Sequence, residues 1–242
     1  DTEEHLQQRF VEERWTDFLP IVLPTEERVE AMLAATSRGR DEVVGRLRPT
    51  AFREFWEFTV EKVAVNAVMA GARPEYLPVI LAAMASGMTG RSSSTTSFAT
   101  IAMVNGPIRN EIGMNSGIGT FGPYNHANAT IGRAYSMGSA NLQGGSVPGE
   151  TYMGSQGNSY AYSAAFAENE ERSPWTPFHV QHGFEPIDST VSLFLGGWYT
   201  QFGTIRDDTW QERFRGQLAA CDPFIGPIVA LDPLAATKLV EY

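Results

Sequence analysis

Two nearly apolar helical segments constrain the fold of this chain more than any other feature. Residues 57–70 carry the strongest helical periodicity, and the pattern starts again after Pro74, which suits the first turn of a second helix ending near Gly87. Apolar side chains lie on nearly every face of both segments. Each helix must therefore be covered on all sides, by the rest of the chain or by a partner.

Shorter patterns surround these two helices. Amphipathic spacing predicts further helices at residues 3–15, 26–38 and 127–137. Compact apolar runs predict strands at residues 98–104, 160–167 and 190–195. Buried helices mixed with short apolar strands favour an α/β fold, with α+β as the alternative, built on a mixed sheet covered by apolar helices.

The length of 242 residues suits a single domain spanning residues 1–242. Within it, the patterns predict an N-terminal helical arm at 1–50, a core at 55–220 and a Pro-rich wrapping tail at 221–242. Residues 138–159 are rich in Gly, Ser and Asn, which predicts a long surface loop able to close over a site.

Charge and cysteine content exclude several classes of function. The formal net charge of −10 argues against binding to nucleic acid or to an anionic membrane surface, since both need clustered Lys and Arg. The single cysteine, Cys221, excludes an internal disulfide framework and a multi-thiolate zinc site. The longest apolar run, residues 76–88, is shorter than the roughly 20 residues that a spanning helix needs. We therefore expect a cytoplasmic protein.

An Asn- and Gly-rich stretch at residues 104–133 is the best candidate for a small-molecule site. It is too polar for a core, and its Gly and Pro residues exclude a long helix. Its spacing GIGTFG matches a dinucleotide fingerprint, but no acidic residue for the ribose follows at the required distance. The predicted substrate-binding residues are Asn105, Asn115, Ser116, Gly117, Gly119, Asn128, Thr130 and Arg133.

The helix that follows this stretch has an ionisable first turn. His126, Thr130 and Arg133 share one face by their spacing, and an arginine near a helix start favours an anionic substrate group. His126 is therefore a candidate catalytic residue. The alternative is a helix capped by Asn125 with a structural arginine.

An acidic segment supplies the other candidate catalytic residues. Glu168 and Glu170 follow an apolar run and precede Trp175 and His179, so that a carboxylate and an imidazole could transfer protons. The alternative is a solvated acidic turn. His179, His182 and Glu168 could instead hold a divalent metal, although HxxH is a weak signal and no cofactor is favoured.

A set of short motifs is spread along the chain between residues 15 and 179. They are WTDFLP at 15–20, PTEER at 24–28, TVEKVAVNAVMAG at 59–71, RPEY at 73–76, VNGP at 104–107, NSG at 115–117, FGP at 121–123, ANATIGR at 127–133, and AENEE at 167–171 through SPW at 173–175 to His179. Together these motifs resemble the large domain found with UGSC-motif (seleno)proteins. In that family, a separate small domain carries a selenocysteine or cysteine in a U/C-Gly-Ser-Cys turn. Ala72 stands where relatives are expected to have a cysteine.

The resemblance implies an enzyme whose nucleophilic or redox-active thiol lies on another domain or subunit. We therefore predict a subunit of a hetero-oligomeric enzyme that cleaves or rearranges a carbon–heteroatom bond in a small polar or anionic substrate. The alternatives are a scaffold or regulatory subunit that docks a catalytic partner through residues 57–88, and a metal-dependent hydrolase or oxygenase. The main prediction requires the amide-rich stretch and the acidic segment to meet in one cavity.

Overall fold

The computed structural model describes residues 2–49, 54, 56–89, 100–143, 147–150, 165–195, 209–219 and 228–241. A 3-10 turn at Pro74–Tyr76 precedes the fourth α-helix. The α-helices of the described residues are α1 (Glu3–Glu12), α2 (Glu26–Leu33), α3 (Val60–Met69), α4 (Leu77–Ala85), α5 (Ile108–Glu111), α6 (His126–Leu142), α7 (Phe178–Gln181), α8 (Trp210–Ala219) and α9 (Pro233–Glu241). The strands are β1 (Val43–Leu47), β2 (Trp56–Thr59), β3 (Thr100–Asn105), β4 (Ala165–Ala167) and β5 (Thr190–Leu195).

The two apolar helices form the centre of the core, as their pattern predicts. Val60, Leu77 and Met84 are each 0% exposed, and α3 and α4 pack on each other and on α6. The first of these helices begins three residues later than its pattern suggests, because residues 57–59 pair with β1 in an antiparallel hairpin. This chain itself covers both helices, so they are not an open docking face.

A three-stranded mixed sheet has the strand order β4-β3-β5. β3 and β4 are parallel and are joined through α5 and α6, whereas β5 runs antiparallel to β3. This βαβ connection confirms the predicted α/β class. It also matters for function, because open α/β sheets bind ligands beyond the carboxyl ends of their parallel strands.

The two faces of this sheet belong to different clusters. Ala102, Val104 and Ala167 face the main core of α3, α4 and α6. The intervening residues Ile101, Met103 and Phe166 face a second cluster, which we call the aromatic cluster. Its partly buried members are Phe121, Phe178, Phe194 and Ile228.

Several segments differ from their predicted form. The N-terminal arm contains strand β1 as well as helices, and α1 ends at Glu12, before Arg14 takes a positive φ of 57°. Residues 138–142 continue α6 and bury Gly138 instead of starting a loop. Part of the tail forms α9, whose Ala235 and Ala236 are buried.

The remainder of the predicted Gly/Ser loop lies largely outside the described residues, as does Cys221. Within the described part of the chain, no helix combines the length and the apolar character needed to cross a bilayer.

Candidate functional site

A polar row crosses the end of the sheet. Asn105 is the last residue of β3, and it pairs directly with Thr190, the first residue of β5. On the other side, Glu168 follows the last paired residue of β4, and its N–H donates to the carbonyl of Val104 at 3.1 Å. By the alternation of each strand, all three residues share the sheet face of the aromatic cluster. The row therefore lies at the carboxyl end of the parallel pair.

Asn105 connects this row to the acidic segment. Its side chain is 0% exposed, and its Nδ2 donates to Glu168 Oε2 and, at 3.0 Å, to Glu170 Oε1. Because two carboxylates flank this nitrogen, the orientation of the amide is determined by its partners. The other atom of the amide, Oδ1, is buried and has no hydrogen-bond partner among the described residues.

A buried arginine balances part of the acidic charge. Arg109 is 3% exposed, and it pairs with Glu170 at 3.2 Å and in a bidentate contact with Glu171. Burial by itself lowers the pKa of Arg109, but the pairs with Glu171 and Glu170 outweigh it and raise that pKa overall. The same hydrogen bonds lower the pKa of the Glu171 carboxyl. Arg172 is exposed, and no ion pair between it and the cluster is described. The acidic segment therefore carries three carboxylates, of which two, Glu170 and Glu171, pair with the buried guanidinium.

Gly106 allows the turn that brings these groups together. Its φ is +81°, and a Cβ at this position would lie 2.1 Å from the carbonyl oxygen of Asp188. Its N–H donates to Glu170 at 2.8 Å, and the N–H of Ile108 donates to Ser189 at 3.1 Å. Only glycine fits both the left-handed backbone and this close approach.

His179 follows Phe178, the residue that connects α7 to the row. It lies in α7, is 1% exposed, and has no hydrogen-bond partner for either ring nitrogen among the described residues. The preceding residue, Phe178, donates its N–H to Glu168 at 2.9 Å, so the start of this short helix is anchored on the carboxylate. A buried imidazole without a partner is costly to the fold and calls for an explanation.

His182 has a different environment on the same helix. It is exposed, its Nδ1 lies 2.8 Å from the carbonyl oxygen of Phe178, and its ring packs on the Phe178 ring at 4.1 Å. The described residues contain no group of three His, Cys, Asp or Glu side chains placed to hold a metal ion. The predicted ligand set of His179, His182 and Glu168 is therefore not assembled.

The Asn/Gly loop uses its amides to hold its own backbone. Asn115 Nδ2 donates to Asn125 and to the carbonyl of Ile118, and its Oδ1 accepts from the N–H of Gly117 at 2.8 Å. Asn128 is 3% exposed and bonds both backbone groups of Asn115.

Further contacts complete this internal network. Asn125 donates to the carbonyl of Gly119 at 2.7 Å and makes no helix cap, contrary to the capping alternative. Ser116 is half-buried between these residues. Asn115 and Asn128, which were expected to contact a substrate, are thus already paired within the loop.

The amide-rich stretch meets the acidic segment only at its beginning. Asn105 and Gly106 contact Glu168 and Glu170 directly, whereas the later loop reaches the same sheet face through the Phe121 ring, 5.0 Å from that of Phe166. A separate cavity of about 230 Å³ lies away from this contact, beside Val22, Met32, Val68, Ala72 and Arg28.

The first turns of α6 serve the structure of the chain. His126 is exposed, with its Nδ1 3.3 Å from the hydroxyl of Tyr76, and Thr130 donates to the His126 carbonyl. Arg133 forms two hydrogen bonds of 2.9 Å with Asp17 and one with the carbonyl of Pro20. This arginine holds the N-terminal segment and is not free for an anionic substrate, which agrees with the structural alternative.

Sequence reasoning missed three members of the site: Arg109, Glu171 and Thr190. Arg109 is the one basic residue between Gly106 and Ser116, and an isolated cation beside a candidate turn was an available signal. Glu171 directly follows Glu170, which was predicted. Nothing local marks Thr190, because only its pairing with Asn105 places it in the row.

Comparison with protein-family models, with curated proteins and with solved structures gives no significant match to this chain.

Proposed function

We propose that this chain is an enzyme subunit that transfers protons at the polar row, with Glu168 and His179 as the acid–base pair. The reaction is cleavage or rearrangement of a carbon–heteroatom bond in a small polar substrate. The observation that carries the proposal is His179: a fully buried imidazole without a described partner follows a residue anchored to a carboxylate at the carboxyl end of a parallel strand pair.

Burial of the His179 imidazole without a described partner has a free-energy cost. A buried polar group that makes no hydrogen bond costs roughly 1–3 kcal/mol, and an apolar residue would fill the same space without that cost. A group of this kind is expected where a ligand completes its bonding, and histidine transfers protons near neutral pH. Its burial also excludes bulk water, which favours controlled proton transfer.

Glu168 has the geometry of a fixed carboxylate. It is half-buried, and Asn105 and the N–H of Phe178 both bond the same oxygen, Oε2. No described group bonds its other oxygen, Oε1, which leaves one oxygen for a substrate. Glu170 is engaged by Asn105, Gly106 and Arg109, so we assign it a positioning role and not the catalytic role expected from sequence.

The charge of the site bears on the substrate. Three carboxylates and one buried guanidinium disfavour an anionic group at the row, and Arg133, the expected anion ligand, is bound to Asp17. A thiol from a partner subunit remains part of the proposal and is supported by the resemblance to UGSC-associated domains. The single cysteine, Cys221, lies outside the described residues.

A paired substrate screen tests the proposal. The purified chain is incubated with a library of small polar compounds in D₂O, with and without added 2-mercaptoethanol as a surrogate thiol. NMR then detects deuterium incorporation or bond cleavage. We expect Glu168→Gln and His179→Gln each to lose at least about a hundredfold in rate on a genuine substrate. His182→Gln, an exposed change on the same helix, serves as the matched control and should keep the wild-type rate. Full turnover in both site variants, with unchanged circular dichroism, would contradict the proposed roles.

A scaffold function is the second candidate, and one observation favours it. The internally bonded loop displays two large apolar side chains, since Ile118 is 98% exposed and Tyr124 is 101% exposed. This loop is therefore the docking surface that we test, because α3 and α4 are buried in the core of the chain. Size-exclusion chromatography coupled to light scattering, comparing the wild type with an Ile118→Ser, Tyr124→Ser double variant, measures whether these residues hold an assembly.

A further inference from the structure

We propose that the polar row binds the ammonium group of a primary amine, so that the substrate of this site is cationic. The inference rests on the proposed function, because it names the substrate class for the same site. Three observations support it: two buried oxygens at the row without partners, the acidic charge beside them, and the aromatic cluster on the same sheet face.

Two buried oxygens at the row lack partners. Asn105 Oδ1 and Thr190 Oγ1 are both inaccessible to solvent and form no hydrogen bond among the described residues. The two residues are directly paired across β3 and β5, so their side chains are neighbours on one sheet face. Asn105 is aimed into the acidic cluster, because its Nδ2 bonds both Glu168 and Glu170. The unmet requirement at this point is for a hydrogen-bond donor.

The charge of the cluster specifies the kind of donor. Glu170 and Glu171 share one buried cation, Arg109, whereas the described partners of Glu168 are neutral donors. A positive ligand at the row would offset this excess, whereas an anion would increase it. An ammonium group carries one positive charge and three N–H donors with no acceptor. These donors match the free oxygen of Glu168, Asn105 Oδ1 and Thr190 Oγ1.

The surroundings favour an organic cation over a metal ion. Phe166 lies on the same face as the row, and the rings of Phe178 and Phe194 are packed 5.4 Å apart in the same aromatic cluster. Aromatic faces attract ammonium groups and cover the alkyl chain that carries them. Metal ions instead need several ionised ligands around one point, and the described residues provide no such group of three.

Titration with n-butylammonium chloride, followed by protein NMR chemical shifts, tests this assignment. Saturable shifts are expected at Asn105, Glu168 and Thr190, whereas sodium butyrate and magnesium chloride should produce none there. Glu168→Gln should weaken binding at least roughly tenfold, because it removes a charged acceptor. Thr190→Val should weaken binding about five- to tenfold without lowering the melting temperature, since it removes a buried hydroxyl that has no partner in the ligand-free protein. Glu111→Gln makes the same charge change two residues from Arg109 at an exposed position, and it should leave the affinity unchanged.

The possible results separate this inference from the proposed function. Absence of saturable amine binding, equal affinity in Glu168→Gln and Thr190→Val, or saturation by magnesium at the row would each overturn the ammonium site. If the wild-type protein binds no amine but Glu168→Gln loses turnover, the ammonium site is overturned and the acid–base function is retained. Amine binding that Glu168→Gln weakens, together with full turnover in that variant and in His179→Gln, would support the ammonium site and contradict the acid–base function.

Discussion

Asn105 and Glu168 lie 63 positions apart in the chain, yet the buried amide of one donates to the carboxylate of the other. The contact joins the ends of β3 and β4 and holds Glu168 where the helix N–H of Phe178 also reaches it. The same amide nitrogen bonds Glu170, so this one side chain orders two carboxylates at the sheet end.

Asn105→Asp should destabilise the fold by about 3 kcal/mol or more, because it places a third carboxylate between two others and removes two hydrogen-bond donors. Urea denaturation at pH 7 measures the loss. The difference in free energy of unfolding between wild type and variant should become smaller in acid, where carboxyl groups become neutral. A loss below about 1 kcal/mol at pH 7 would show that the amide does not bridge the two carboxylates in solution.

Gly106→Ala should cost about 2 to 4 kcal/mol, since it combines a left-handed backbone with a clash against the Asp188 carbonyl. Gly113→Ala is the matched control. Gly113 has a similar φ of +67° but open space around its Cβ position, so only the backbone cost of about 1 kcal/mol is expected. Denaturant midpoints of the two variants provide the comparison. Equal losses would mean that residue 188 does not approach Gly106 closely.

Arg133→Ala should destabilise the protein by about 3 kcal/mol at pH 7, because it leaves the buried carboxylate of Asp17 without its cation. Burial by itself raises the pKa of Asp17. The hydrogen bonds and charge pairing with Arg133 have a larger effect in the opposite direction, so the pKa of Asp17 is lowered from its ordinary value of 3.8. The stabilisation that the Asp17–Arg133 pair gives is therefore fully present above the unfolded-state pKa of Asp17. It is lost as the pH falls through the lower pKa that Asp17 has in the folded state. The difference between wild type and variant should consequently narrow below about pH 4.

The control for this pair is Arg38→Ala, which breaks a more exposed i,i+4 pair with Glu42 and should cost no more than about 0.5 kcal/mol. Thermal unfolding between pH 3 and pH 7 measures both variants. If Arg133→Ala behaves like Arg38→Ala, the N-terminal segment does not depend on Arg133. Intact binding of n-butylammonium by Arg133→Ala would agree with a purely structural role for this arginine.

His179→Leu should keep or raise the stability of the fold while abolishing turnover. Leucine fills a buried space without an unmet hydrogen-bonding requirement, so the expected change lies within about 1 kcal/mol of wild type. His182→Leu, at the exposed position, should lower stability slightly and leave turnover intact. Differential scanning calorimetry of both variants measures whether His179→Leu keeps the stability of the wild type. A loss above about 2 kcal/mol in His179→Leu would indicate that the imidazole is hydrogen-bonded in the folded protein.

Much of the fold followed from local patterns. The apolar segments around α3 and α4 required burial, and the run at Thr190–Leu195 forms β5 with the predicted bounds. α2 begins at the predicted residue 26, where the Thr25 side chain caps it by accepting from the N–H of Arg28 at 3.4 Å. These features could be predicted because periodicity, capping and burial are properties of neighbouring residues.

The site was predictable only in part. Asn105, Glu168 and His179 were identified by residue type and by their place at the ends of apolar runs. The later loop amides had the same appearance in sequence, but they bond one another and not a ligand. The amide composition indicates hydrogen-bonding capacity, and it does not specify the partner.

The sequence alone determined which segments must be buried, which of them are helices or strands, and that the ends of the apolar runs carry acids and amides. Only the tertiary structure decided that Glu168 and Thr190 flank Asn105, and that Arg133 binds Asp17, 116 positions earlier. The physical reason is that burial follows from a residue's own chemistry and spacing, whereas partners distant in the chain are selected by strand register and by the packing of the whole core.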